Sequence, residues 1–219
     1  MNKTSSRNDR VEFGIVPYTL DDDVLAQTAR DGASRVQVYT VPQPLVVLGR
    51  GSDPEAELRL ENCRADRVPL TRRRGGGCAV VLDPGVVLVA IAVRAPGIGN
   101  NKAHFDRLTD WMVEGLDSIG ITNIKGDGIS DLVLDDRKVA GSCIYRRKDL
   151  LLYSASLLVK PDLDGMERYL AHPPREPEYR RGRTHRDFVR GLADGRGETS
   201  VDDFARALRS ALSPILLDG

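Results

Sequence analysis

Three arginines run directly into three glycines in the stretch Arg72-Arg73-Arg74-Gly75-Gly76-Gly77. Adjacent cations repel one another unless water or a shared anion offsets their charge. Glycine lets a backbone lie flat against a ligand with its N–H groups exposed, and arginine suits phosphate and carboxylate oxygens. The pattern therefore predicts a polyanion or an acyl-phosphate on the glycines, with the arginines beside it. A tight turn rimmed by surface arginines is the alternative that residue types leave open.

A second stretch of interest surrounds Lys138, which follows a turn and begins a predicted strand. Small residues come directly after it, as Ala140-Gly141-Ser142. A lysine beside small residues can place its ammonium group on a ligand that approaches the backbone closely. Taken alone, however, this stretch fits a solvated lysine at a hairpin turn better.

The composition excludes several classes of protein. The chain has 219 residues, 41% hydrophobic and 29% charged, with a formal net charge of zero. These values are typical of a soluble globular protein with one large or two small domains. Because no net positive charge is present, nothing global indicates nucleic acid or a membrane surface, and any basic site must be local.

Cysteine usage and apolar runs indicate a reduced compartment. The three cysteines lack the spacing of a disulfide framework or a zinc site; they are Cys63, Cys78 and Cys143. The longest apolar run, residues 86–93, is too short to span a bilayer. The polar N-terminus does not resemble a secretion signal, so we expect a cytoplasmic protein.

The chain is predicted to form a single domain over residues 1–219, with residues 1–10 disordered. Alternation and apolar runs predict strands at residues 35–41, 45–48, 68–71, 78–82, 86–93, 131–134, 138–147 and 150–159. Helical spacing and caps predict helices at residues 19–30, 54–66, 103–119 and 164–170, and a last helix capped by Thr199 or Ser200.

Three further local features complete this prediction. Residues 11–18 are interpreted as a strand or an extended lead-in, and residues 126–128 as the start of a loop. The strands at 78–82 and 86–93 should form a hairpin around Asp83-Pro84-Gly85, with the second arm central in its sheet. The predicted class is α+β, with a mainly antiparallel or mixed β-sheet flanked by helices.

Taken together, the two stretches resemble the lipoate–protein ligase family, which shares its fold with biotin–protein ligases and octanoyltransferases. The family's first motif has two arginines, a variable position, serine, glycines, an apolar run, His-Asp and a turn, and residues 72–85 align with it without a gap. Asp131 and residues 137–142 match the second motif, and residues 46–50 match an upstream apolar strand ending in Gly-Arg. The resemblance covers roughly residues 36–159 and implies a biotin/lipoate ligase-like catalytic domain.

The resemblance implies a reaction in which lipoate and ATP give lipoyl-adenylate, and the acyl group then passes to a lysine of a lipoyl carrier domain. Lys138 would bind the carboxylate and the α-phosphate, and Asp131 would lie near Mg²⁺ and the triphosphate. The strand around Val80 would line the acyl tunnel. The resemblance also implies roles in binding substrate or nucleotide for Arg72, Arg73, Gly75, Gly76, Gly77, Gly141 and Ser142.

The chain departs from the family pattern at several polar positions. Leu82 stands where the family has histidine, and Ser154-Ala155 stands where ligases have His-Gly. We expect no separate accessory C-terminal domain of the kind that many ligases carry, so a partner subunit is one expectation. The other is that residues 172–219 form a capping segment and a helix, with Arg183 in a basic cluster that closes over the phosphates. A solvated loop followed by the start of a helix is the alternative for this cluster.

Two other functions stay open at this point. An ATP-independent transferase that moves octanoyl or lipoyl groups between carriers needs an activated cysteine, and Cys78 and Cys143 are the nearest candidates. However, cysteine-dependent relatives carry their nucleophile elsewhere, and packed thiols explain both residues. The third interpretation is a non-catalytic or partner-dependent subunit that binds a lipoyl domain.

Overall fold

The computed structural model describes residues 14–95, 100–196 and 198–215. The predicted disorder of residues 1–10 lies outside these residues, as does the start of the predicted strand at 11–18. The strands are β1 (Val16–Pro17), β2 (Arg35–Tyr39), β3 (Leu45–Leu48), β4 (Leu70–Arg72), β5 (Val80–Leu82), β6 (Val86–Arg94), β7 (Lys125–Asp127), β8 (Asp131–Leu134), β9 (Arg137–Arg147) and β10 (Leu150–Leu158).

The helices lie between and after these strands. They are α1 (Asp22–Asp31), α2 (Pro54–Glu57), α3 (Leu60–Ala65), α4 (Asn101–Ser118), α5 (Leu163–Tyr169), α6 (His185–Phe188) and α7 (Val201–Ala211), with a 3₁₀ turn at Glu178–Arg180. No helix in the described ranges has the length and hydropathy needed to cross a membrane.

Two sheets organise the domain. The smaller has the strand order β1-β4-β3-β5, in which β4 runs parallel to both β1 and β3 while β5 is antiparallel to β3. The larger has the order β2-β6-β10-β9-β8-β7, with every neighbouring pair antiparallel. The predicted α+β class with a mainly antiparallel or mixed sheet is confirmed.

Strand β6 lies inside the larger sheet with a neighbour on each side, as its apolar sequence predicted. Every residue from Val86 to Val93 is buried. Val89 and Ile91 face a core that includes α4 and α7, whereas Ala90 and Ala92 face α1. This alternation follows from the period of two residues in a strand. Small residues on the second face leave room for α1 to pack close to the sheet.

The predicted hairpin between residues 78–82 and 86–93 is wrong. Strand β5 pairs with β3, through Val81 opposite Val46, whereas β6 pairs with β10 and β2 in the other sheet. The turn between them is a bend from one sheet to the other. Asp83 fixes it by accepting hydrogen bonds from the N–H groups of Gly85, at 2.6 Å, and Asp162, at 3.1 Å.

The predicted helix over residues 54–66 is broken in two. Leu58 leaves the helical conformation with φ −121° and ψ 150° and forms an isolated bridge with Leu170. Its side chain is buried, so tertiary packing outweighs the local helical preference.

Smaller boundaries also differ from the prediction. Residues 125–127 are the edge strand β7, although a loop was expected from residue 126. Helix α1 has Asp21 rather than Thr19 at its N-cap, and α5 has Asp162 as its capping residue. The predicted cap Ser200 is confirmed for α7.

Candidate functional site

The backbone carbonyls of the three glycines all accept hydrogen bonds from other groups of the protein. The segment of residues 73–79 between β4 and β5, here called the glycine loop, contains these carbonyls. That of Gly75 accepts from the Arg50 N–H at 2.8 Å, and that of Gly76 accepts from the Arg73 guanidinium at 2.6 Å. The carbonyl of Gly77 lies 3.2 Å from the Ser52 hydroxyl. Within the described ranges, no N–H group of the three glycines has a hydrogen-bond acceptor. The loop therefore offers free donors that an anion can occupy.

The two leading arginines hold this loop in place. Arg72 donates to the carbonyls of Gly49, at 2.9 Å, and Ser52, at 2.8 Å. Arg73 donates to the carbonyls of Val47, at 3.0 Å, and Cys78, at 2.9 Å, as well as to Gly76. Both guanidinium groups thus bind backbone in this structure. Their predicted contact with phosphates stays a prediction.

Glu57 and Ser52, which the sequence did not single out, support the glycine loop through hydrogen bonds. Glu57, on α2, is buried, and its Oε2 atom accepts from the Ser52 hydroxyl at 2.9 Å and from the Ala79 N–H at 2.5 Å. No spacing rule marks a glutamate in a short helix as a loop anchor. The available signal was Asp53-Pro54, which fixes the helix start and hence the position of Glu57.

The glycine loop lies directly against strand β9. A Cβ atom placed on Gly75 would fall 2.5 Å from the Cys143 Sγ atom, so only glycine allows this approach. Gly77 has a φ of 89°, a conformation that favours glycine. These contacts bring the two stretches identified in the sequence together, although about 60 residues separate them in the chain.

Lys138 and Asp131 form an ion pair at the second stretch. The Lys138 Nζ atom lies 2.7 Å from Asp131 Oδ1, and the lysine is more exposed than the aspartate. A Cβ atom on Gly141 would lie 2.9 Å from the same Nζ atom, so the ammonium group rests over the glycine. Gly141 beneath the ammonium group and Cys143 beneath Gly75 are two residues apart on β9 and therefore share a face of the strand. The ammonium group and the glycine loop thus lie side by side on that face.

Ser142 faces away from this centre. Its hydroxyl and its N–H both bond to the carbonyl of Ser130, at 3.0 Å and 2.8 Å. The residue thus fixes the turn before β8, which carries Asp131. Its predicted role in substrate binding stays a prediction.

Residues 177–190, here called the C-terminal strap, pack along the start of β9. The Tyr179 hydroxyl donates to Asp131 Oδ2 at 2.8 Å, and Val189 forms a parallel bridge with Lys138. Arg183 donates to three carbonyl oxygens, those of Tyr179, Arg180 and Asp136, at 2.7, 3.0 and 3.0 Å. The guanidinium group of Arg183 is therefore engaged with the backbone in this structure, and its predicted role in closing over the phosphates stays a prediction.

The model of the lipoyl protein ligase A/B catalytic domain matches residues 16–213 of the chain. The chain belongs to this family. A lipoate–protein ligase of Streptococcus pyogenes serotype M5 (strain Manfredo) is 28% identical over 151 residues, which cover 69% of this chain and 40% of the relative. The chain spans less than half the length of the curated relatives it matches.

Solved structures with the same fold include lipoate–protein ligases. A bi-partite lipoate protein ligase from Thermoplasma acidophilum, studied with its E2 lipoyl domain, gives a TM-score of 0.74 at 22% identity. The match covers 87% of this chain and 74% of that one. A lipoate-protein ligase A bound with ATP gives a TM-score of 0.73 at 20% identity, covering 87% of this chain and 76% of that one. At these identities the likeness establishes the shared fold.

A small pocket of this lipoyl ligase domain opens between the glycine loop and the larger sheet. Its lining includes Tyr18, Asp21, Gly75, Cys143, Leu152 and Ser154. Burial raises the pKa of Asp21, whose carboxyl accepts from the Tyr39 hydroxyl at 2.5 Å and from the Ser154 hydroxyl at 2.7 Å. Ser154, where ligases have histidine, is therefore used in a buried polar contact. Val80 is partly buried and packs against the core of the smaller sheet, and its predicted place in the acyl tunnel stays a prediction.

The two thiols nearest this pocket are poor candidates for a nucleophile. Burial raises the pKa of Cys143 and of Cys78. Since the thiolate is the reactive form, a raised pKa lowers the reactive fraction near neutral pH.

The acidic residues fit a magnesium ion only together with a nucleotide. In the described part of the chain, no three His, Cys, Asp or Glu residues are grouped to hold a metal. Asp131 supplies one carboxylate, and both its oxygens already have partners in Lys138 and Tyr179. Magnesium is commonly bound by one or two carboxylates together with substrate phosphates. The site is compatible with that arrangement and not with a metal held by protein alone.

Proposed function

We propose that this chain activates lipoate with ATP and transfers the lipoyl group to a lysine of a lipoyl carrier domain. The observation that carries the proposal is the row of free glycine N–H groups in the glycine loop, close to the Lys138 ammonium. Backbone N–H donors and a lysine ammonium group that lie side by side can bind a carboxylate and a phosphate and stabilise their negative charge as they react with each other. The family and the lipoate–protein ligase relatives favour lipoate as the acid.

The chemistry would proceed in two steps. A lipoate carboxylate oxygen attacks the α-phosphorus of ATP, a P–O bond to the leaving pyrophosphate breaks, and lipoyl-adenylate forms. Lys138 and the glycine N–H groups would stabilise the negative charge on the transferring phosphoryl group. The carrier lysine then attacks the acyl carbonyl, and AMP leaves. Mg²⁺ would supply further positive charge on the phosphates, with Asp131 as its protein ligand.

The raised thiol pKa values weigh against the ATP-independent transferase, because that route needs a thiolate.

A partner-dependent protein is the remaining alternative, since the Thermoplasma lipoate protein ligase with the same fold is bi-partite. An accessory subunit thus stays a proposal for this chain. A cytoplasmic location also stays a prediction.

Intact-mass spectrometry of a lipoyl-domain acceptor tests the proposal. The acceptor is incubated with the chain, lipoate, ATP and Mg²⁺, and a parallel sample lacks ATP. Lys138→Ala should abolish the gain of one lipoyl group, whereas Lys160→Ala, at an exposed lysine outside the site, should leave it unchanged.

Two supplementary reactions separate the alternatives if the full reaction gives no product. Product from preformed lipoyl-adenylate would show that only the transfer step occurs on this chain, as expected for a partner-dependent protein. Product from an octanoyl-carrier donor without ATP would favour the transferase and overturn the ligase proposal.

A further inference from the structure

Asp131 is held at both of its carboxylate oxygens by residues from different parts of the chain. Lys138 contacts Oδ1 at 2.7 Å, and the Tyr179 hydroxyl donates to Oδ2 at 2.8 Å. Asp131 is only 8% exposed, so water offers little competition for these contacts. The Tyr179 phenol is therefore connected through a single residue, Asp131, to the lysine on which the proposed chemistry depends.

The ring of Tyr179 is fixed independently of its hydroxyl. It packs on Phe188 with 5.0 Å between the ring centroids, and the Tyr179 carbonyl accepts from Arg183 at 2.7 Å. A carboxylate can only accept hydrogen bonds, so the phenol is the donor in its contact with Asp131.

The same strap also holds the backbone of Lys138. The Arg190 N–H donates to the Lys138 carbonyl at 3.0 Å, next to the bridge from Val189. The Arg137 guanidinium donates to the Arg186 carbonyl at 2.5 Å. The strap takes the place beside β9 that β10 occupies further along, where pairing with β10 reaches Ala140. Backbone and side chain of Lys138 are therefore both positioned from residues 177–190.

We propose that Tyr179 is a positioning residue, which holds the Asp131 carboxylate in the one orientation that keeps the Lys138 ammonium over Gly141 and beside the glycine loop. This inference rests on the proposed function for its catalytic consequence, but not for its geometry. With one partner alone, a carboxylate rotates about its Cβ–Cγ bond. The second hydrogen bond removes that freedom, so the ion pair between Asp131 and Lys138 stays populated in one geometry.

The variant Tyr179→Phe isolates the hydroxyl, because the phenyl ring retains its contact with Phe188. The chain provides a control in Tyr169, whose hydroxyl donates to a different carboxylate, that of Asp66, at 2.9 Å. Tyr169→Phe thus removes a similar hydrogen bond between tyrosine and aspartate. Thermal unfolding of both variants checks that each remains folded.

The first readout needs no activity. The unliganded full chain is treated with an amine-acetylating reagent, and modification of Lys138 relative to Lys160 is followed by peptide mass spectrometry. We expect Tyr179→Phe to increase the relative rate at Lys138 by about twofold or more, because the ion pair is less populated. Tyr169→Phe should leave the ratio unchanged. An unchanged ratio in Tyr179→Phe overturns the proposal.

A double-mutant cycle with Asp131→Asn separates positioning through the carboxylate from general stabilisation of the strap. If Tyr179 acts through Asp131, adding Tyr179→Phe to Asp131→Asn has no further effect on Lys138 labelling. Equal effects in both backgrounds would mean that the phenol only supports the strap, and the inference would be wrong.

The second readout is lipoate-dependent exchange between pyrophosphate and ATP. We expect Tyr179→Phe to lower kcat by about tenfold, equivalent to about 1.4 kcal/mol, while the KM values for ATP and lipoate stay within about twofold. A rise in KM with unchanged kcat contradicts positioning at the reacting centre. If the unmodified chain shows no exchange, the proposed function fails, and the labelling cycle alone decides the role of Tyr179.

Discussion

Lys138 and Asp131 share a face of the larger sheet because the register between their strands shifts. Asp131 lies opposite Gly141, but beyond Leu132 the pairing slips so that Val133 lies opposite Lys138. Residues that face each other across a pair of strands point to the same side. Without the shift, Lys138 would lie opposite Leu134 and point to the other side from Asp131. The β-bulge thus creates the 2.7 Å ion pair.

Gly141→Ala should separate activity from stability. The new Cβ would lie 2.9 Å from Lys138 Nζ and must displace this flexible side chain, whereas the strand conformation accepts alanine. We expect lipoyl transfer to fall by about tenfold or more, with the free energy of unfolding changed by less than about 1 kcal/mol. Acceptor mass and denaturant unfolding measure the two effects. Gly51→Ala, where no atom lies within 4 Å of the new Cβ, serves as the control.

Removing the carboxylate beneath the glycine loop should destabilise the fold. Glu57→Ala leaves the Ala79 N–H and the Ser52 hydroxyl without their buried acceptor. We expect the free energy of unfolding to fall by about 2–4 kcal/mol, as measured in urea. Glu55→Ala, at an exposed position of the same helix, should change it by less than about 0.5 kcal/mol. Equal effects in the two variants would mean that Glu57 does not anchor the loop.

The stability of the domain should decrease in mild acid because of His185. Burial, followed by the charge of Arg180, lowers the pKa of His185 from 6.5 to about 4. Between these values the unfolded chain binds a proton that the folded chain does not, so stability is lost as the pH falls. After allowance for partial exposure, we expect a loss of about 1–2 kcal/mol between pH 7 and pH 4.5.

Two histidine variants test this assignment in urea unfolding at several pH values. His185→Gln should flatten the pH dependence of the free energy of unfolding between pH 7 and pH 5, whereas His172→Gln, at an exposed histidine, should not.

The pKa of Glu167 is also lowered, because hydrogen bonds from Arg186 and the interaction with His185 outweigh the effect of its burial. The contribution of Glu167 to folding stability is therefore lost only as the pH falls below its ordinary pKa of 4.5. An unchanged slope in His185→Gln would assign the acid sensitivity to another group.

Arg183 separates a structural role from the predicted contact with phosphates. Its guanidinium group bonds to three carbonyl oxygens, so Arg183→Ala should lower the free energy of unfolding by about 2–3 kcal/mol. Arg186→Ala, at an exposed arginine of the strap, should cost less than about 1 kcal/mol. ATP affinity, measured by calorimetry, should change little in Arg183→Ala at a temperature where it is folded. A large loss of affinity at unchanged stability would instead support the capping role.

The sequence predicted the local elements better than their pairing. The apolar run of β6 identified a central strand, and Asp53-Pro54 and Ser200 marked helix starts by their chemistry. The hairpin of residues 78–82 with 86–93 failed, because an apolar pattern specifies burial but not a partner. The prediction of a continuous helix over residues 54–66 was wrong at Leu58 for a similar reason, since Leu58 pairs with Leu170, a residue distant in the chain.

The sequence by itself determined the family, the α+β class and the two stretches that form the candidate site. Glycines and a lysine at these spacings are local, and a family motif preserves local order. Only the tertiary structure decided that the glycine carbonyls are hydrogen-bonded within the protein and that Glu57 anchors their loop. It also decided that a β-bulge turns Lys138 towards Asp131 and that Tyr179 binds the same carboxylate. These contacts join residues distant in the chain, and strand register and close packing set them in ways that residue types do not specify.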